Sequence, residues 1–189
     1  MVIFLMSKNR KKIALSEILD VEKIKTVSKP IDKAHGLPNE CYTSSKYLKF
    51  EREWIFKEKW TMIGVGGSVP NPGNARPYNL LDIPLIIVRD KAKKIRVFHN
   101  VCSHRGFKLL DKPCSLKNTL RCPYHNWSYS FEGNLVATPH IGGLNIHETK
   151  KFDKSKSNLK EVRTKVWMDM IFININHNEI EFDEYIKPL

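Results

Sequence analysis

The chain has 189 residues and a mass of 22.0 kDa, which suits one ordinary domain with some additional chain rather than two full enzyme domains. Its 41% hydrophobic content is enough for a core and excludes wholesale disorder, and no apolar run approaches the ~20 residues of a membrane span. Lys plus Arg outnumber Asp plus Glu by 32 to 20, a formal charge of +12, which points to an acidic partner.

Taken in chain order, residues 1–42 read as an N-terminal arm. The opening Met1–Met6 is too short for a signal sequence and has no basic residue before it, and Met6 is a second candidate start. The chain therefore reads as cytoplasmic and not membrane-bound. Leu15, Ile18, Leu19, Val21 and Ile24 predict a short amphipathic helix, which Pro30 and Pro38 end. Residues 43–66 read as a helical lead-in. Ser44 or Ser45 can cap a helix over Thr43–Trp60, and Tyr47, Phe50 and Trp54 fall on one face as expected core. The cluster Gly64-Val65-Gly66-Gly67 lacks phosphate-loop spacing and reads as a turn.

From residue 67 to 176 the period changes. Short β-rich runs cover 76–81, 84–89, 95–101, 120–122, 127–131, 162–167 and 171–175, with turn residues between them. The fold class is mainly β: a small antiparallel β domain preceded by a helical arm. Residues 89–121 hold ten cations against Asp90 and Asp111, a local charge of +8. Cys41 and Cys114 read as free thiols.

The other two cysteines stand beside histidines. Cys102-Ser103-His104-Arg105-Gly106 follows a β run, and Cys122-Pro123-Tyr124-His125 precedes one, giving C-x-H and then C-x-x-H. Two thiolates and two imidazoles can hold Zn²⁺ or an iron–sulfur cluster. Zinc fingers pair cysteine with cysteine and histidine with histidine, whereas here each loop offers one of each. That arrangement suits a binuclear cluster with both thiolates on one iron and both imidazoles on the other, the ligation of a Rieske [2Fe–2S] centre. Such a centre is neutral when both irons are ferric, so it accepts an electron more easily than a four-thiolate cluster. Gly106 permits a tight turn, Pro123 stiffens the second loop and Trp127 can shield one side.

These residues resemble the Rieske domain of the large (α) subunit of Rieske non-haem iron oxygenases, the ring-hydroxylating dioxygenase type, whose superfamily includes choline- and betaine-type monooxygenases. Asn100-Val101-Cys102-Ser103-His104-Arg105-Gly106 looks like the first ligand loop. Arg121-Cys122-Pro123-Tyr124-His125-Asn126-Trp127-Ser128-Tyr129 looks like the second, with Asn126 where glycine is usual. Glu51, Glu53, Ile55, Phe56 and Trp60 are similar to the family's preceding helix. Gly133-Asn134-Leu135 and Ala137-Thr138-Pro139-His140 match its exit from the second loop. The resemblance covers roughly residues 40–176. It implies a Rieske [2Fe–2S] domain over 67–176, with Cys102 and Cys122 on one iron and His104 and His125 on the other. Arg105, Gly106, Pro123, Tyr124, Trp127 and Tyr129 would surround them. High-potential Rieske proteins carry a disulfide where this chain has Phe107 and Tyr124, and a serine donor where it has Trp127. Fewer hydrogen bonds to sulfur predict a potential at the low end of the Rieske range, with Tyr129 retaining one such bond.

The family's second domain holds a mononuclear Fe(II) on two histidines and a carboxylate, in a D-x-x-H-x-x-x-x-H pattern that His35, His99, His140, His147 and His177 do not supply. Residues 177–189 read as the start of that catalytic domain, so no catalytic residue falls in this chain. The resemblance implies an electron-transfer module of an oxygenase, a dioxygenase or monooxygenase. Its donor would be an acidic ferredoxin or flavin reductase and its acceptor a mononuclear iron, and the family's homo-oligomers are compatible with this chain. A stand-alone Rieske ferredoxin is the alternative, disfavoured by the sixty-odd residues before the β domain. A zinc-stabilised module binding nucleic acid is weaker still, because there is no basic recognition helix.

Overall fold

A computed structural model describes residues 15–177 and 179–188. After a 3₁₀ turn at Leu15–Glu17, α1 (Val21–Val27) is capped by Asp20, whose carboxylate accepts the Glu22 and Lys23 amide protons. The helix expected over 43–60 is broken. It comprises α2 (Glu40–Thr43), α3 (Ser45–Glu51) with the Ser44 hydroxyl accepting the Tyr47 amide proton, and one wide π-turn at Arg52–Phe56. Tyr47, Phe50 and Trp54, expected in the core, are only half-buried. Helices this short bury little of their own surface; it is Phe56, at the end of the π-turn, that packs against the core, and Trp60 beyond it that is buried.

Ten strands follow. β1 (Thr61–Val65), β2 (Asn74–Leu80), β3 (Ile83–Arg89), β4 (Ile95–His99), β5 (Cys114–Ser115), β9 (Glu161–Trp167) and β10 (Met170–Asn174) form one antiparallel sheet in the order β1-β10-β9-β4-β3-β2-β5. β6 (Leu120–Arg121), β7 (Ser128–Tyr129) and β8 (Leu135–Ala137) form a second. The mainly β, antiparallel class read from the sequence is the class observed. The lead-in does not stay helical to residue 66, because Thr61–Val65 pairs with β10 and forms one edge of the large sheet. Gly64 belongs to that strand, and the turn begins only at Gly66. β1, β5 and β8 escape a periodicity reading because their apolar residues are too few to set a pattern.

The apolar run of β3 is explained by burial on both faces. Ile86 and Val88 point toward the small sheet, packing with Phe98, Leu120, Tyr129 and Phe131, while Leu85 and Ile87 point the other way onto Val97, Val162, Ile171 and Ile173. Residues 179–188 turn back onto the large sheet. The Trp60 indole donates to the Ile180 carbonyl at 2.9 Å, and Phe182 of α4 (Phe182–Tyr185) is buried edge-on to Trp60 at 5.1 Å. No helix among the described residues is long and apolar enough to cross a membrane.

Candidate metal centre

Two loops leave the large and small sheets and meet at one end of the molecule. The first leaves β4 and runs from Asn100 to Leu110; the second joins β6 to β7. Both fold their backbone the same way. The Cys102 amide donates to the Phe107 carbonyl at 2.8 Å and the Gly106 amide to the Cys102 carbonyl at 2.9 Å. In the second loop the Cys122 amide donates to Trp127 at 2.8 Å and the Asn126 amide to Cys122 at 2.9 Å. Each turn needs a left-handed residue four positions after its cysteine, supplied by Gly106 (φ 69°) and Asn126 (φ 57°). Asparagine tolerates that region better than other non-glycine residues, so the family's usual glycine is replaced without changing the turn.

The twin turns sort the four candidate ligands by kind. Cys102 and Cys122 are buried in the core between the sheets, close enough for their thiols to interact. His104 and His125 lie half-buried at the rim, with ring centroids 4.9 Å apart. Thiols therefore pair with thiols and imidazoles with imidazoles, although each loop supplies one of each. Among the described residues, no three His, Cys, Asp or Glu side chains converge on a single ion position.

The surroundings differ by side chain. His104 stacks flat on buried Trp127 at 4.5 Å and 10°, and Phe152 meets that indole edge-on at 5.4 Å. His125 packs under Tyr124 at 3.7 Å, and Tyr124 tilts against Phe107 at 5.4 Å. The two loops are thus joined by an aromatic contact at the positions where high-potential relatives would carry a disulfide. Arg105 and Pro123 are exposed, and Gly106 is open enough that a Cβ there would meet nothing within 4 Å. Together with His140, residues of both loops line a hollow of about 470 Å³ over the imidazoles. His140 and His147 form a separate pair in their own loop: the Asn145 and His140 amides donate to their Nδ1 atoms at 2.8 and 3.2 Å.

Tyr129, fully buried, places its hydroxyl 3.1 Å from Cys102 Sγ. Burial pushes the Cys102 thiol above the usual range, and hydrogen bonds from the Tyr129 hydroxyl and the His104 amide pull it back. Burial, with the neighbouring His125 and Arg105 charges, holds His104 below the ordinary imidazole value, which favours the neutral, ligating form. Burial likewise keeps the Tyr129 phenol protonated.

Asn100 and Ser103 carry structural roles that the motif alone does not disclose. Asn100 is 1% exposed; its side-chain oxygen accepts the Leu109 and Leu110 amide protons at 3.0 and 2.9 Å, and its nitrogen donates to the Leu110 carbonyl at 2.7 Å. A polar residue directly after an apolar strand was the available signal. Ser103 gives its hydroxyl to the Ser157 carbonyl, a partner 54 residues away that local sequence does not reveal. His99 lies in β4 opposite Leu85, beside the Lys160 and His177 charges. Cys41 and Cys114 are free thiols outside the loops.

The donor set fits a two-metal cluster rather than a single ion. His125 Nδ1 is buried with no hydrogen-bond partner among the described residues, and a buried imidazole nitrogen left unpaired is costly unless it serves as a ligand.

Known proteins resemble this chain in sequence and in fold. The Rieske [2Fe–2S] domain family matches residues 59–152. The 2-aminobenzenesulfonate 2,3-dioxygenase α subunit of an Alcaligenes species is 29% identical over 157 residues, covering 82% of this chain and 39% of that protein. The carnitine monooxygenase oxygenase subunit of Acinetobacter pittii is 31% identical over 147 residues, covering 78% of this chain and 38% of its own length. A solved quaternary ammonium Rieske monooxygenase superposes with a TM-score of 0.68 at 28% identity, covering 79% of this chain and 42% of that one. Naphthalene 1,2-dioxygenase shares the fold at 23% identity and a TM-score of 0.65, covering 77% of this chain and 32% of that one. The chain spans about two fifths of the length of the curated relatives it matches. These agreements, in sequence and in fold, show that the chain carries a Rieske [2Fe–2S] domain over residues 59–152, of the kind found in the α subunits of Rieske oxygenases.

Proposed function

We propose that Cys102, Cys122, His104 and His125 hold the [2Fe–2S] cluster, the cysteines on one iron and the histidines on the other. When bound, the cluster accepts and releases one electron at a time. The observation that carries this reading is the segregation of two buried thiols from two rim imidazoles by a repeated backbone turn.

The protein's own residues set the conditions. Cys102 must lose its proton before ligating, and the Tyr129 hydroxyl and His104 amide are placed to stabilise the thiolate that remains. Trp127 fixes the His104 ring plane, and burial keeps that imidazole neutral. With the cysteine side enclosed and the histidine side at the surface, electrons have their shortest route through the imidazoles.

The charge distribution supports an acidic ferredoxin or flavin reductase as donor. The +8 stretch is split by the fold. Lys91, Lys93 and Lys94 lie on the β3–β4 turn at the far end of the sheet, and Arg96 is held inward by Asp90 and Glu161. Arg105, Lys108, Lys112, Lys117 and Arg121 remain exposed within or between the ligand loops, where they can attract an anionic surface. The acceptor is a mononuclear iron in a catalytic domain outside these 189 residues. Inter-subunit electron transfer is described for a quaternary ammonium Rieske monooxygenase, and a neighbouring copy is the natural location here too.

Anaerobic purification with iron and acid-labile sulfide analysis tests the assignment. A red-brown protein with two irons and two sulfides, giving a Rieske electron-paramagnetic signal on reduction, is expected. A colourless, zinc-loaded protein would overturn it.

A further inference from the structure

The Tyr129 hydroxyl has one proton and three close neighbours. The Ser103 amide donates to its oxygen at 3.1 Å, Ser103 Oγ lies at 3.0 Å and Cys102 Sγ at 3.1 Å. The direction of the Ser103 contact follows from the next bond along. Ser103 Oγ is 2.5 Å from the Ser157 carbonyl oxygen, which can only accept, so the single Ser103 proton is committed there. Ser103 therefore faces Tyr129 with lone pairs alone. Tyr129, fully buried and out of reach of bulk water, has two acceptors for one proton: the Ser103 oxygen and the Cys102 sulfur.

We infer that Ser103 is a positioning residue that competes with Cys102 for the Tyr129 proton, so that the Ser157 carbonyl, through Ser103, weakens the hydrogen bond to the cluster sulfur and lowers the reduction potential. This rests on the ligand assignment proposed above. A hydrogen bond to a ligand sulfur disperses the charge of an added electron, so strengthening it favours the reduced state. A hydroxyl beside a cluster is ordinarily read as a donor whose loss lowers the potential. Here the geometry demands the opposite sign.

The test is a potentiometric titration of the cluster-loaded protein and its variants. Ser103→Ala removes the competing oxygen, and Ser103→Val also fills the space, keeping water from the Tyr129 hydroxyl. Both should raise the midpoint, increasing the reduced-to-oxidised ratio at fixed poise by about threefold. Ser103→Thr keeps the hydroxyl and should titrate as the parent does. In a Tyr129→Phe background Ser103→Val should shift nothing, because the contested proton is gone. A fall or no change in Ser103→Val, or an equal rise in the Tyr129→Phe background, overturns the inference while leaving the ligand assignment intact. A parent protein without two irons and two sulfides overturns both.

Discussion

The two ligand loops share one backbone turn, yet they are held in place by unlike means. The first hangs on buried polar groups: Asn100 clasps its returning end, and Ser103 ties its tip to Ser157. The second is held by its flanking strands, β6 and β7, and by the Trp127 and Tyr129 rings packed in the core. Hydrogen bonds fix direction but fail abruptly when one partner is lost, whereas apolar packing degrades by degrees. The first loop is thus the more specified and the more brittle of the two.

The largest effects should ignore that distinction. Cys102→Ala, Cys122→Ala and His104→Ala each remove a proposed ligand, one loop being as essential as the other, and all should purify without iron, sulfide or visible absorption. Cys114→Ala, in a strand outside the loops, should retain the full complement. Full iron content in a ligand variant would break the equivalence.

Asn100→Ala should separate the loops. It strands the buried Leu109 amide and the part-buried amide and carbonyl of Leu110, and a loss of about 2–4 kcal/mol is expected from the urea midpoint. Hydrogen exchange should quicken at Leu109 and Leu110 while the second loop stays protected. Uniform loosening of both loops would show that the scaffolds are not independent.

Acid offers a milder separation. The strand entering the first loop carries His99, which burial, with the nearby Lys160 and His177 charges, pushes down to about 4 from 6.5. The folded chain keeps this imidazole neutral while the unfolded chain protonates it, so stability falls as pH drops from 6.5 toward 4. Allowing for partial solvent screening, the loss should be about 2 kcal/mol. His99→Gln should flatten that part of the stability profile. An unchanged slope would locate the acid sensitivity elsewhere.

The contrast between the loops also marks where sequence reasoning succeeds and stops. The two Cys–His loops, β3, β4, β9 and β10 were legible because each leaves a local trace: fixed Cys–His spacing, or apolar runs bounded by turns. That the two thiols would lie together, apart from the two imidazoles, was inferable from the alternation of residue types in the loops. Residues 61–65 were lost to the helical lead-in because a five-residue edge strand containing glycine has no period of its own and is defined only by β10, more than a hundred residues later. The Ser103–Ser157 bond was illegible for the same reason. The aromatic face of α3 misled in the other direction: helical spacing identifies a face, but whether anything covers it depends on where the helix lands.

The smallest effects probe the turn that the loops have in common. At Gly106 a Cβ would meet nothing within 4 Å, so Gly106→Ala carries only the left-handed backbone penalty, about 1 kcal/mol. Asn126 occupies the equivalent position and already bears part of that penalty. Asn126→Gly should therefore be neutral or stabilising by up to ~0.5 kcal/mol, and Asn126→Ala destabilising by a similar amount, each read from thermal midpoints at constant iron content. The second loop's tighter core packing makes it the better place to tolerate a non-glycine residue, since strain there is opposed by burial of Trp127 and Tyr129 rather than by a few hydrogen bonds. Placing asparagine in the first loop instead, as Gly106→Asn, should cost more cluster retention than the same residue costs in the second. Equal retention would mean that the turn, and not its anchoring, sets how firmly the ligands are held.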